Sequence, residues 1–73
     1  MSPEKMAYMA NQIATFFRSQ PEAGRVEGIA AHLGDFWEPR MLEQLYTHID
    51  GGAAGLDPLV IEAAKHVQQA KAA

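Results

Sequence analysis

A helix accepts proline readily only in its first turn, where the fixed φ suits the backbone and the missing N–H costs nothing. Pro3, Pro21, Pro39 and Pro58 each stand where a helix can begin, and they divide the chain into four helical segments. Ser2 precedes the first and Asp57 the last, each offering a side-chain oxygen to backbone donors left free in the opening turn. Met1 with Met6, and Leu56 with Ile61, fit the apolar staple that sets a chain's entry into a helix. The expected helices cover about 3–19, 22–33, 39–50 and 58–70. No run alternates apolar and polar residues over a useful length, and hairpin dipeptides are missing from the connectors, so strands are disfavoured. The fold class is therefore all-α, a small four-helix domain over residues 1–73.

In the first segment Met6, Met9, Ile13, Phe16 and Phe17 recur at steps of three and four, which predicts that this stripe faces the core. On the neighbouring face Ala7 and Ala14 lie two turns apart with Asn11 between them, a shallow strip that another backbone can approach closely. The second segment gathers Val26, Ile29, Ala30 and Leu33. Gly24 and Gly28 lower its helicity by roughly 1 kcal/mol each relative to alanine, making it the element expected to be least stable. Gly34 then offers a left-handed stop, placing Phe36 and Trp37 in a corner before Pro39 restarts the helix. The third segment sets Met41, Leu42, Leu45, Tyr46 and Ile49 against Arg40, Glu43, Gln44 and Thr47. The fourth, with Leu59, Val60, Ala63, Ala64 and Val67, is thinner and is expected to act as a lid. The stretch Gly51, Gly52, Ala53, Ala54, Gly55 reads as a flexible connector.

Composition narrows the functional classes. A chain of 73 residues has room for one domain, and the absence of cysteine leaves stability to packing or to a partner. No apolar run is long enough to span a bilayer and the N-terminus lacks an export pattern, so a cytoplasmic protein is expected. Six Lys and Arg against nine Asp and Glu give a net charge of −3. They form no basic stripe of the kind nucleic acid attracts.

Candidate chemical sites are few. His32, His48 and His66 lack the spacing of paired zinc ligands; His32 and His48 suit the last turn of a helix, where a donor meets free carbonyls. Ser2 and Ser19 have no plausible base, and the glycines follow a helix rather than a strand, unlike a phosphate-cradling loop. Asp35 and Glu38 flank Trp37 and fit a helix N-terminus better than an acid–base pair. No catalytic, cofactor-binding or metal-binding residue is expected. The corner from Phe36 to Met41 holds Trp, Arg and Met, the types enriched at interface anchor points. Phe36 and Met41 read as core. Trp37 plugs the core or docks on a partner, and Arg40 meets either a partner or a carboxylate such as Glu43. Asn11 is a poor helix-interior residue unless its amide is used, so an amide reaching a partner beside Ala7 and Ala14 is the functional reading of that strip. The candidate partner-binding residues are thus Ala7, Asn11, Ala14, Trp37 and Arg40.

Three stretches carry a family resemblance: Met9, Ala10, Asn11, Gln12, Ile13, Ala14 with Phe16 and Phe17; His32 with Phe36, Trp37, Glu38, Pro39, Arg40, Met41; and Gly51 through Val60. Together they resemble the delta subunit of bacterial NAD-dependent, molybdenum-containing formate dehydrogenase. Leu42 departs from the family's pattern, which often has a basic residue there. The resemblance implies a non-catalytic accessory subunit of a cytoplasmic complex, bound to the large catalytic subunit and supporting enzyme stability or cofactor insertion. It also implies that molybdopterin, iron–sulfur clusters, FMN and NAD are held by the other subunits and none by this chain. The competing classes are a helix-turn-helix DNA-binding domain, for which Arg40 is the only cation on the recognition helix, and a self-associating helical module.

Overall fold

A computed structural model of the protein describes residues 1–72, and Ala73 lies outside the described range. Helices α1 (Pro3–Arg18), α2 (Arg25–Phe36), α3 (Pro39–Asp50) and α4 (Pro58–Ala72) make the fold all-α, with no strand among the described residues. Proline opens three of the four, at Pro3, Pro39 and Pro58. The Ser2 hydroxyl accepts from Lys5 N–H at 3.2 Å. The Asp57 carboxylate accepts from Leu59 N–H at 2.9 Å. Both caps are where the sequence puts them.

Pro21 does not open α2. Gly24 adopts φ 92°, a left-handed conformation that breaks helical continuity, so residues 21–24 turn and the helix starts at Arg25. The same helix runs past Gly34, which is helical rather than a stop, and ends at Phe36. Trp37 then takes an extended backbone (ψ 134°) and Glu38 follows (ψ 153°), as a residue before proline must, which swings the chain directly into α3.

The core is built from Met6, Ala7, Ala10 and Ala14 of α1, Ile29 and Leu33 of α2, Leu42 and Leu45 of α3, and Val60, Ala63, Ala64 and Val67 of α4, closed by Trp37 and Leu56. The side of α1 that faces inward is therefore the alanine side. Of the expected stripe, Met6 is buried and Ile13 and Phe17 pack at the core's edge, but Met9 and Phe16 are exposed. Small side chains win because they let helix backbones come close, which excludes more water around each of them than a large residue held at longer range. Nor is α4 a lid: it packs most extensively against α2 and also touches α1 and α3. Gly28 serves the crossing of α1 and α2, since a Cβ there would lie 2.4 Å from Phe17 Cε1. The Phe17 ring occupies the space that a side chain would need.

Candidate functional site

The strip of Ala7, Asn11 and Ala14 faces the chain's own fold. Ala7 and Ala14 are buried. The Asn11 amide is used at both ends: Nδ2 donates to the Gly55 carbonyl at 2.7 Å, and Oδ1 accepts from Asp57 N–H at 2.9 Å. Two turns further along α1, Arg18 forks onto the Asp57 carboxylate, Nη2 to Oδ1 at 2.7 Å and Nε to Oδ2 at 3.1 Å. From α3, His48 Nε2 lies 2.7 Å from the Ala54 carbonyl. A carbonyl only accepts, so that nitrogen carries the proton and donates. The segment from Gly51 to Gly55, expected to be a flexible connector, is thus tied to α1 and α3 by side chains. Its neighbour Leu56 is buried in the core.

The Arg18–Asp57 pair sets the local electrostatics. The guanidinium hydrogen bond holds the Asp57 carboxyl below its ordinary value, against an upward push from desolvation and with help from the Leu59 N–H. The same pairing raises Arg18. Asp57 therefore stays ionised at neutral pH and caps α4 with a full negative charge, where the helix dipole favours it.

At the end of α1, Arg25 performs a task that sequence reasoning missed. Its Nε donates to the carbonyls of Phe17 (3.1 Å) and Gln20 (3.0 Å), and its Nη2 donates to that of Arg18 (2.8 Å). Past the end of α1 these carbonyls lack further i+4 helical donors, although Phe17 O also accepts the Gln20 N–H at 3.1 Å. The available signal was a lone arginine just beyond the end of a helix, and spacing alone does not tell such a residue from a solvated one.

Of the corner residues, Trp37 is 8% exposed and belongs to the core, whereas Phe36, expected to be core, is 73% exposed. Phe36 closes the last turn of α2 on its solvent side, whereas Trp37 leaves the helix on an extended backbone and reaches the core. Phe36 stacks on His32 instead, ring centroids 4.9 Å apart. Arg40 is exposed and is not paired with Glu43, since the one ion pair among the described residues is Arg18–Asp57. Leu42, the departure from the family's pattern, is buried and extends the core face of α3.

Between α1 and α2, His32 lines a groove with Gln12, Ile13, Phe16 and Phe17. Phe16 meets Phe17 edge to face at 5.2 Å. Among the described residues no three His, Asp or Glu side chains gather as metal ligands, and no helix is long and apolar enough to cross a membrane.

Residues 5–64, which include the Asn11 clamp, the Trp37 corner and the start of α4, match the family described as NADH-dependent formate dehydrogenase delta subunit, FdsD. The chain belongs to this family. No curated protein and no solved structure matches it. Membership in the delta-subunit family implies a complex with other formate dehydrogenase subunits. The family's matched range also holds both halves of the structural clamp, so the contacts that shape this delta subunit fall within the region that defines the family. The helix-turn-helix alternative needs α2 and α3 packed together. Here they are the least associated pair of helices, joined mainly through the Trp37 turn.

Proposed function

We propose that this chain is a non-catalytic accessory subunit that binds the large, molybdopterin-bearing subunit of a cytoplasmic NAD-dependent formate dehydrogenase and supports its stability or the insertion of its cofactor. Molybdopterin, iron–sulfur clusters, FMN and NAD are held by the other subunits of that complex. The observation that carries this reading is the family match over residues 5–64. The chemistry of the chain supports it. Asn11, Arg18 and Asp57 are spent on the loop clamp, and large aromatic surface is left outside: Phe16, Phe36 and Tyr8 are all more than half exposed. Surface of that kind acts by association, which stabilises whichever state of the partner binds it.

The test is to express the formate dehydrogenase with and without this chain and to measure molybdenum per assembled enzyme together with its rate of heat inactivation. Lower molybdenum without the chain identifies a role in insertion, and full loading with faster inactivation identifies a role in stability. Equal loading and equal inactivation would refute the proposal.

A further inference from the structure

Two phenylalanines face solvent on the same flank of the fold. Phe16 and Phe36 are 60% and 73% exposed. They are linked through His32, which stacks on Phe36 and also lines the groove formed with Gln12, Ile13, Phe16 and Phe17 between α1 and α2. The groove lining contains no Asp, Glu, Lys or Arg. A projecting ring thus stands beside an uncharged apolar slot.

We propose that this strip, with Phe36 as the knob and Ile13, Phe16, Phe17 and His32 as the slot, is the face that docks on a larger formate dehydrogenase subunit, one presenting an apolar concavity rimmed by basic side chains. The proposal rests on the accessory-subunit reading above and adds the surface to it.

Area and charge both select this occupant over a second copy of the chain. At roughly 150–250 Å² for a whole aromatic side chain, the exposed parts of Phe16 and Phe36 amount to about 200–350 Å². A stable interface takes about 800 Å² from each partner, so two such strips pressed together fall well short. A concave partner that wraps around the knob and fills the slot also covers the surface of this chain around the strip, which supplies the missing area. Charge selects the same occupant. Exposed Asp35 and Glu38 flank the Phe36–Trp37 pair in sequence, and neither is neutralised by an ion pair among the described residues. A two-fold pairing of this chain would bring like carboxylates together in a molecule of net charge −3. A basic rim turns the same carboxylates into attraction and steering.

The experiment measures the affinity of the intact chain, and of its Phe36→Ser and Phe16→Ser variants, for the complex of the remaining formate dehydrogenase subunits. Circular dichroism and thermal melts check that each variant keeps its helices. Both positions are exposed, so folding is expected to survive. Tyr8→Ser, which alters an exposed aromatic outside the strip, is the control. The proposal expects each strip variant to bind about tenfold or more weakly and Tyr8→Ser to stay within about twofold of the unaltered chain. Unchanged affinity in both strip variants overturns the proposed surface while leaving the accessory-subunit reading intact. An unaltered chain that does not bind at all overturns both. Sedimentation that shows a dimer dissolved by Phe36→Ser, with subunit binding preserved, gives the strip to self-association and equally overturns the proposal.

Discussion

Asn11 Oδ1 accepts the Asp57 backbone N–H at 2.9 Å, so the middle of the first helix holds the residue that caps the fourth. The other end of the same amide holds Gly55. Asn11→Ala removes both bonds, each worth about 0.5–1.5 kcal/mol, and is expected to cost about 1–3 kcal/mol. In a chain of this size that lowers the melting temperature by roughly 4–8 °C for each kcal/mol lost. A thermal melt followed by circular dichroism checks it, and a shift of less than about 2 °C would show that the clamp is dispensable.

The pairing of Asp57 with Arg18 makes stability depend on acid. The folded-state value of Asp57 is depressed, so its contribution is fully present above the ordinary value of 3.8 and is lost as pH falls through and below it. Asp57→Asn keeps a good helix cap but loses the charge. The stability gap between the unaltered chain and Asp57→Asn should therefore be constant at neutral pH and shrink as pH falls below about 3.8. Urea unfolding at a series of pH values measures that gap, and a gap unchanged down to the acid limit would contradict the assigned role of the charge.

Two glycines of α2 should respond oppositely to the same substitution. At Gly34 nothing lies within 4 Å of a new Cβ, so Gly34→Ala is expected to stabilise by about 0.5–1 kcal/mol through helix propensity. At Gly28 the Cβ would meet the Phe17 ring at 2.4 Å. Displacing that ring from the core's edge is expected to outweigh the propensity gain and to destabilise by about 1–3 kcal/mol. Denaturant melts of the two variants compare the signs directly. In a Phe17→Leu background the penalty at Gly28 should diminish.

Arg25→Lys tests the cap at the end of α1. Lysine keeps the charge but cannot reproduce a planar fork reaching the carbonyls of Phe17, Arg18 and Gln20. A loss of about 1–2 kcal/mol is expected, with Arg25→Ala losing at least as much. Equal stability of all three forms would mean that solvent serves those carbonyls just as well.

The parts of this fold that were legible in sequence are those governed by single-residue chemistry. Proline at a helix start, Ser2 and Asp57 as caps, and apolar spacing along α3 each act locally, and the helices appear accordingly. What depends on which surfaces meet was not legible. The alanines of α1 form its core side because helix backbones approach each other there, a preference that a stripe of larger hydrophobics hides. The left-handed Gly24, the helical Gly34 and the outward Phe36 all follow from how α2 is seated, which spacing does not encode. For the candidate site, Asn11 was correctly singled out as an amide with work to do, but its partners lie 44 and 46 residues along the same chain. Of the other residues picked as partner contacts, Ala7, Ala14 and Trp37 are enclosed by the fold and Arg40 is open to solvent.

The proposed function requires that this small helical chain work as a bound subunit. Size-exclusion chromatography of the full chain mixed with the purified large formate dehydrogenase subunit measures this most directly. The two are expected to elute together in a fixed ratio. Separate elution at micromolar concentrations of both, with each protein folded, would contradict it.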